Sequence, residues 1–164
     1  MTVYHGGTEI VQYPRVDAGR LGLDFGRGFY VTKLQAQAEK WASRASRQRL
    51  EPAIINEYQF DDDYASGVFR SLRFESYDKN WLDFIVMCRN GFDPSLDYDY
   101  VEGGVADDRV IDTVEGYING TIDAEHALSE LSRHQPNHQI CILNQDLIDK
   151  CLTFCKASDY VEQS

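Results

Sequence analysis

Apolar positions along the 164-residue chain switch between a period of two and a helical period, and the switches predict its elements. Thr2–His5 predicts a short strand, followed by a polar, turn-rich stretch through Gly22. Phe29–Val31 predicts a second strand. Leu34, Ala38, Trp41, Ala42 and Ala45 then recur at helical spacing, with Thr32 as the expected N-cap and Pro52 as the stop. Ala53–Phe60 alternates β-branched and aromatic residues, a strand ended by Asp61-Asp62-Asp63, with Val68–Phe74 expected as its neighbour. Ser76–Arg89 carries Trp81, Phe84, Ile85 and Cys88 on one helical face, and Gly91 stops it. Tyr98–Val101 predicts a strand, Val110–Ile118 and Asp123–Leu131 two helices, Gln139–Leu143 a strand, Gln145–Lys150 a helical turn and Leu152–Cys155 a last strand. Strands separated by helices predict an α+β fold with two small sheets, in one domain covering residues 1–164.

Composition narrows the partners. A chain of this length buries roughly two-thirds of its unfolded surface and holds a real core. No stretch approaches the roughly 20 apolar residues that span a bilayer, and no secretory signal is visible, so a cytoplasmic protein without a membrane partner is expected. Cys88, Cys141, Cys151 and Cys155 are irregularly spaced and read as reduced intracellular thiols. His134, His138 and the late cysteines form H-x₃-H and C-x₃-C spacings, but these lie in apolar, strand-like stretches, and no metal site is expected. The net charge of −11 opposes a general grip on DNA or RNA. Residues 1–50 nevertheless carry eight Lys/Arg against four acids, net +4, which leaves −15 on the rest. A scattered solvated surface accounts for this asymmetry, and so does a basic cradle for a small anion near the glycines of the first fifty residues.

The segment Asp24-Phe25-Gly26-Arg27-Gly28-Phe29-Tyr30-Val31-Thr32, read with Tyr4-His5-Gly6-Gly7-Thr8, carries the candidate chemistry. Two glycines flank Arg27 at the mouth of a strand, and a second pair follows His5 at the end of another. Glycines let a ligand approach the backbone, whose amides then donate to a carboxamide or phosphate. Each residue also has a plain role: His5 as a partly buried ring, Tyr30 as a core aromatic, Trp41 as part of an amphipathic helix. Asp107 and Asp108 read as caps of the following helix, Asp108 in particular.

In this order the segments resemble the NAD-binding core of the ADP-ribosyltransferases, in the branch with His-Gly in one strand and Gly-x-Gly-x-Tyr in the next. Its middle portion is similar to uncharacterised bacterial relatives of that superfamily. The resemblance implies a split two-sheet core with flanking helices and NAD as co-substrate in its cleft. His5 would hold the adenosine ribose and Gly6 the nicotinamide carboxamide. Tyr30 and Trp41 would form the two aromatic walls around nicotinamide, where offset stacking adds roughly 0.5–1.5 kcal/mol beyond area burial. Arg27 would reach the pyrophosphate.

Two positions depart from the family pattern. Ala38 stands where a small hydroxyl residue helps hold the carboxamide. Gln139 stands where a glutamate opens the late catalytic strand, and it has no charge for an oxocarbenium-like transition state and takes no proton. Asp107 is then the leading substitute acid, followed by Asp108 and Glu102. The expected reaction is transfer of one ADP-ribose to a macromolecular acceptor, a protein in preference to a nucleic acid, with release of nicotinamide. By analogy alone the biological role is a bacterial toxin or defence effector, with an antitoxin or immunity protein as partner. Two other readings stay open: a degenerate module that binds NAD or a partner without turnover, and removal of a 2′-phosphate from RNA on the same fold. The negative balance beyond residue 50 counts against the second.

Overall fold

The computed structural model describes residues 1–163. Seven strands form two sheets: β1 (Thr2–Gly7), β3 (Ala53–Phe60) and β7 (Leu152–Tyr160) in one, with β3 central. The other has the order β2 (Phe29–Val31), β6 (Gln139–Ile142), β5 (Tyr100–Gly103), β4 (Ser71–Arg73). Six helices accompany them: α1 (Gln35–Arg49), α2 (Asp62–Val68), α3 (Lys79–Arg89), α4 (Ile111–Ile118), α5 (Ala124–Leu131) and α6 (Gln145–Cys151). The α+β class with two small sheets is as the sequence predicts. No helix among the described residues is long and apolar enough to cross a membrane.

Alternation along β6 divides the core. Ile140 and Ile142 point into the layer between the sheets, with Val3, Phe29, Val31, Tyr58 and Phe60. Cys141 faces the opposite layer, where α3, α4 and α5 cover the sheet with Trp81, Leu82, Ile85, Val114 and Leu131. All four β6 residues are buried, as expected of a strand covered on both faces. On the outer face of the first sheet, Ala38 and Ala42 of α1 pack with Ala53 and Ile55. Helix and strand approach there so closely that a Cβ on Gly6 would lie 1.9 Å from the Ala38 carbonyl oxygen. Only glycine fits, for a reason of packing.

Three local expectations are corrected. Val68–Phe74 is not a strand beside β3. The carboxylate of Asp61 accepts the Tyr64 amide at 3.2 Å, and Asp62 and Asp63 sit at the favourable positive end of α2. The aspartate run read as a strand stop is thus also a helix start. The chain then crosses to the second sheet, where β4 pairs in parallel with β5. The place beside β3 goes to β7, which runs on to Tyr160 as a mostly exposed strand with little apolar signal beyond Cys155. Finally, Thr32 does not cap α1 directly. Leu34 is the N-cap, and the buried Thr32, just before it, accepts the Leu34 amide on Oγ1 at 3.1 Å.

A single bridge joins the two sheets. Tyr4 and Thr32 exchange both backbone hydrogen bonds, at 2.8 and 2.9 Å, after which β1 and β2 part. The polar stretch after β1 is tied down by side-chain amides instead of a ladder. Buried Asn56 donates to the Glu9 carbonyl at 2.9 Å and accepts from Val11 N–H at 2.8 Å. Gln145 does the same for Pro14 and Val16, at 3.0 Å each.

Candidate functional site

His5, Gly6 and Tyr30 meet at this seam. A carbonyl only accepts, so the 2.7 Å contact between His5 Nδ1 and the Tyr30 carbonyl places the proton on Nδ1 and leaves Nε2 an acceptor. The ring stacks on Phe29 with centroids 4.5 Å apart. Burial lowers the His5 pKa, the bond to Tyr30 opposing it, so the ring is neutral at pH 7. Because Tyr4 spends its N–H and C=O on Thr32, antiparallel alternation turns the same groups of Gly6, two residues on, toward the seam and away from β3.

The Tyr30 hydroxyl is committed elsewhere. It donates to the Gly26 carbonyl at 2.6 Å and accepts from Phe25 N–H at 3.1 Å, locking the glycine turn onto its own strand. Burial pushes its pKa well above the ordinary tyrosine value. A Cβ on Gly28 would fall 2.4 Å from the Ile142 carbonyl, so that glycine too is needed for packing against β6. Arg27 is exposed, and its guanidinium donates to the Asp17 carbonyl, closing the turn over residues 16–18. Trp41 is half-buried on α1, and its ring pairs with no other aromatic ring among the described residues.

Gln139 lies deeper, in a network its sequence position does not reveal. Its Nε2 donates to Asp24 Oδ2 and to the Gly104 carbonyl, both at 3.1 Å. Asp24 Oδ2 also accepts the Ala106 amide at 2.8 Å, while Oδ1 takes two donors from Arg89 at 3.1 and 2.7 Å. Two acceptors around the nitrogen fix the amide orientation. The other end, Oε1, accepts no bond from the described residues. No side-chain N or O atom among them is both sealed from solvent and unpartnered. Oε1 is therefore not fully sealed, on a residue that is only 2% exposed.

Asp107 lies on the same side of the second sheet. Its carboxylate accepts from Arg109 N–H at 3.0 Å, pairs with the Arg109 guanidinium at 3.1 Å, and accepts from Asn137 Nδ2 at 2.6 Å. Asn137 also donates to Gln37 Oε1 at 2.9 Å, tying this corner to α1. Asp108 does not cap α4. The N-cap is Val110, with no side-chain bond, and exposed Asp108 pairs with Arg44 at 3.1 Å. Glu102 is unavailable as a free acid. Its Oε2 lies 2.6 Å from His138 Nε2, and its Oε1 pairs with Arg73 at 2.9 Å. Burial alone would raise the Glu102 carboxyl, but His138 and Arg73 together hold it below its ordinary range.

Lys33 N–H donates to His138 Nδ1 at 3.1 Å, so Nε2 carries the proton toward Glu102 and the bond links β5 to the start of α1. This dyad spans 36 residues and has no local signature. The buried Asp24 was equally hidden, because a carboxylate beside a glycine turn reads as solvated. Burial pushes the Cys88 thiol up to about 12 and raises Cys141 as well, which leaves both unreactive.

The structure thus brings His5, Gly6 and the Tyr30 backbone together, and links Gln139 to Asp24 and Asp107 to Asn137. It does not aim the Tyr30 hydroxyl or Arg27 at open space. Two surface hollows, of about 410 and 300 Å³, flank β4, and none of the predicted site residues other than Glu102 lines either one.

A family model described as "Protein of unknown function (DUF3990)" matches residues 1–154, and the chain belongs to that family. No curated protein and no solved structure matches it.

Proposed function

We propose that this member of the DUF3990 family is an NAD-dependent mono-ADP-ribosyltransferase. The observation that carries the reading is the seam itself. Two sheets part beside one bridge, with the His5 ring bonded to the Tyr30 carbonyl across it and the Gly6 backbone edge turned into it. That supports the reading of a split core in which one strand would offer a backbone pair to a carboxamide and a neutral imidazole to a hydroxyl.

In the reaction, the nicotinamide–ribose bond breaks and its electron pair leaves with nicotinamide. The acceptor nucleophile forms the new bond to the ribose carbon and loses a proton. Gln139 Oε1 would offer a neutral acceptor to a ribose hydroxyl, and Asp107, held by Arg109 and Asn137, is the candidate for the missing charge. A neutral amide supports orientation better than charge stabilisation, and losing one such electrostatic contact costs about 10²–10³ in rate. A single transfer to an already nucleophilic protein side chain fits these residues better than chain growth. By analogy, a toxin or defence role with an antitoxin partner goes with that activity.

The test is incubation of the protein with labelled NAD and a cell lysate, wild type beside Gln139→Ala and Tyr30→Ala, each first shown to be folded. Label transfer with nicotinamide release, reduced in both variants, is expected. NAD binding without nicotinamide release would replace the enzyme reading with the binding-module one. Absence of both would end it.

A further inference from the structure

We propose that Asp24 is a positioning residue of this site, and that its charge is what fixes position 139 as an amide. The inference rests on the reading of Gln139 as the residue that meets a ribose hydroxyl. Asp24 is only 8% exposed and takes four donors on two oxygens: two from Arg89, the Ala106 amide and Gln139 Nε2. It thereby ties together the glycine turn, the end of α3, the loop after β5 and the first residue of β6.

The surroundings of the Gln139 nitrogen are acceptors only, Asp24 Oδ2 and the Gly104 carbonyl, each 3.1 Å away. A carboxylate here would set an oxygen against both, one of them already charged, inside a buried layer. The position therefore holds an amide whose nitrogen is fixed on the Asp24 and Gly104 oxygens and whose oxygen takes no bond from the described residues. What it presents to a ligand is a fixed, uncharged acceptor, suited to a hydroxyl such as those of a ribose diol and unsuited to a phosphate or carboxylate.

Three variants separate the outcomes: Asp24→Asn, Gln139→Glu and the double variant Asp24→Asn/Gln139→Glu. Thermal unfolding is read from pH 5 to 8, with NAD affinity by calorimetry. The carboxyl introduced by Gln139→Glu gains a raised pKa in the fold, so its Tm falls increasingly below wild type as pH rises and recovers toward pH 5. The double variant regains Tm at pH 8, because the amide introduced at position 24 supplies a donor to the carboxylate introduced at position 139. A Gln139→Glu Tm equal to wild type at pH 8 would overturn the clamp. Asp24→Asn lets the Gln139 amide turn over. It is expected to weaken NAD roughly tenfold, the size of one lost hydrogen bond to a bound hydroxyl, with the circular dichroism spectrum unchanged. Unchanged affinity in a folded Asp24→Asn would overturn the positioning role. If wild type binds no NAD, the transferase reading fails and the positioning role with it, while the pH series still decides the clamp.

Discussion

Gly6 on β1 and Gln139 on β6 are constrained by different physics. On the β1 side the restraint is shape: α1 presses its backbone onto Gly6, with the Ala38 carbonyl where a Cβ would be. On the β6 side the restraint is buried charge: Asp24, Arg89, Gln139 and two backbone groups satisfy one another in a layer otherwise filled with Trp81, Leu82 and Ile85. The first kind of restraint fails by steric overlap and is indifferent to pH. The second fails by leaving polar groups unpaired, and it answers to protonation.

The contrast breaks most visibly at Asp24. Asp24→Ala strands the Arg89 guanidinium, the Ala106 amide and the Gln139 nitrogen, and a loss of about 3–5 kcal/mol is expected from chemical denaturation. A loss below about 1 kcal/mol would mean that the charged wall is not a structural unit. Gly6→Ala is expected to cost close to the upper end of the roughly 1–3 kcal/mol typical of overpacking, because the atoms it meets are helix backbone. Its Tm deficit stays constant between pH 5 and 8, whereas that of Gln139→Glu does not.

Tyr30→Phe follows, at about 1–2 kcal/mol, because Phe25 N–H and the Gly26 carbonyl lose their partner. If the ring serves only as a wall of a nicotinamide slot, NAD affinity survives this change and is lost in Tyr30→Ala.

A smaller effect sharpens the electrostatic side. Glu102 is held below the ordinary glutamate range, so its contribution is fully present above the unfolded pKa and is lost as pH falls through the lower folded value. Glu102→Gln is therefore expected to flatten the acid limb of the stability profile below about pH 4.5, relative to wild type. His5 acts in the same direction at higher pH. Its folded pKa lies below 6.5, so stability present above that value declines as pH falls toward the folded pKa. At the other extreme, Asp108→Ala removes an exposed partner of Arg44, and no resolvable change in Tm is expected.

Much of the fold was legible because local rules and tertiary packing agree. The Trp81–Cys88 face buries what its period predicts and Ala53–Phe60 forms the predicted strand, whereas on α1 only Ala38 and Ala42 of the predicted Leu34–Ala45 stripe are buried, Leu34 being 41% exposed. The misreading of Val68–Phe74 came from Asp61, which ends one element and caps the next; hydropathy cannot tell a stop from a start when one residue is both. The Gly-x-Gly signature is legible as a turn, but its close approaches are to Pro94 at Gly26 and to β6 at Gly28. The partners of Asp24, Asn137 and the Glu102–His138 pair lie between 30 and 115 residues away, so Glu102 reads from sequence as a free substitute acid and His138 as one end of an H-x₃-H spacing, with nothing to join them.

By itself the sequence determined most of the elements, α2 excepted, the buried face of α3, and the placing of a His-Gly strand end and a glycine turn on successive strands. Those follow from periodicity and from the backbone freedom of glycine, which act within a few residues. Only the tertiary structure decided that the two sheets part at the Tyr4–Thr32 bridge, that the Tyr30 hydroxyl turns inward, and that the Gln139 nitrogen is held by Asp24 and the Gly104 carbonyl. The reason is that a buried polar atom is oriented by whichever donors and acceptors packing brings beside it, and chain proximity does not supply them.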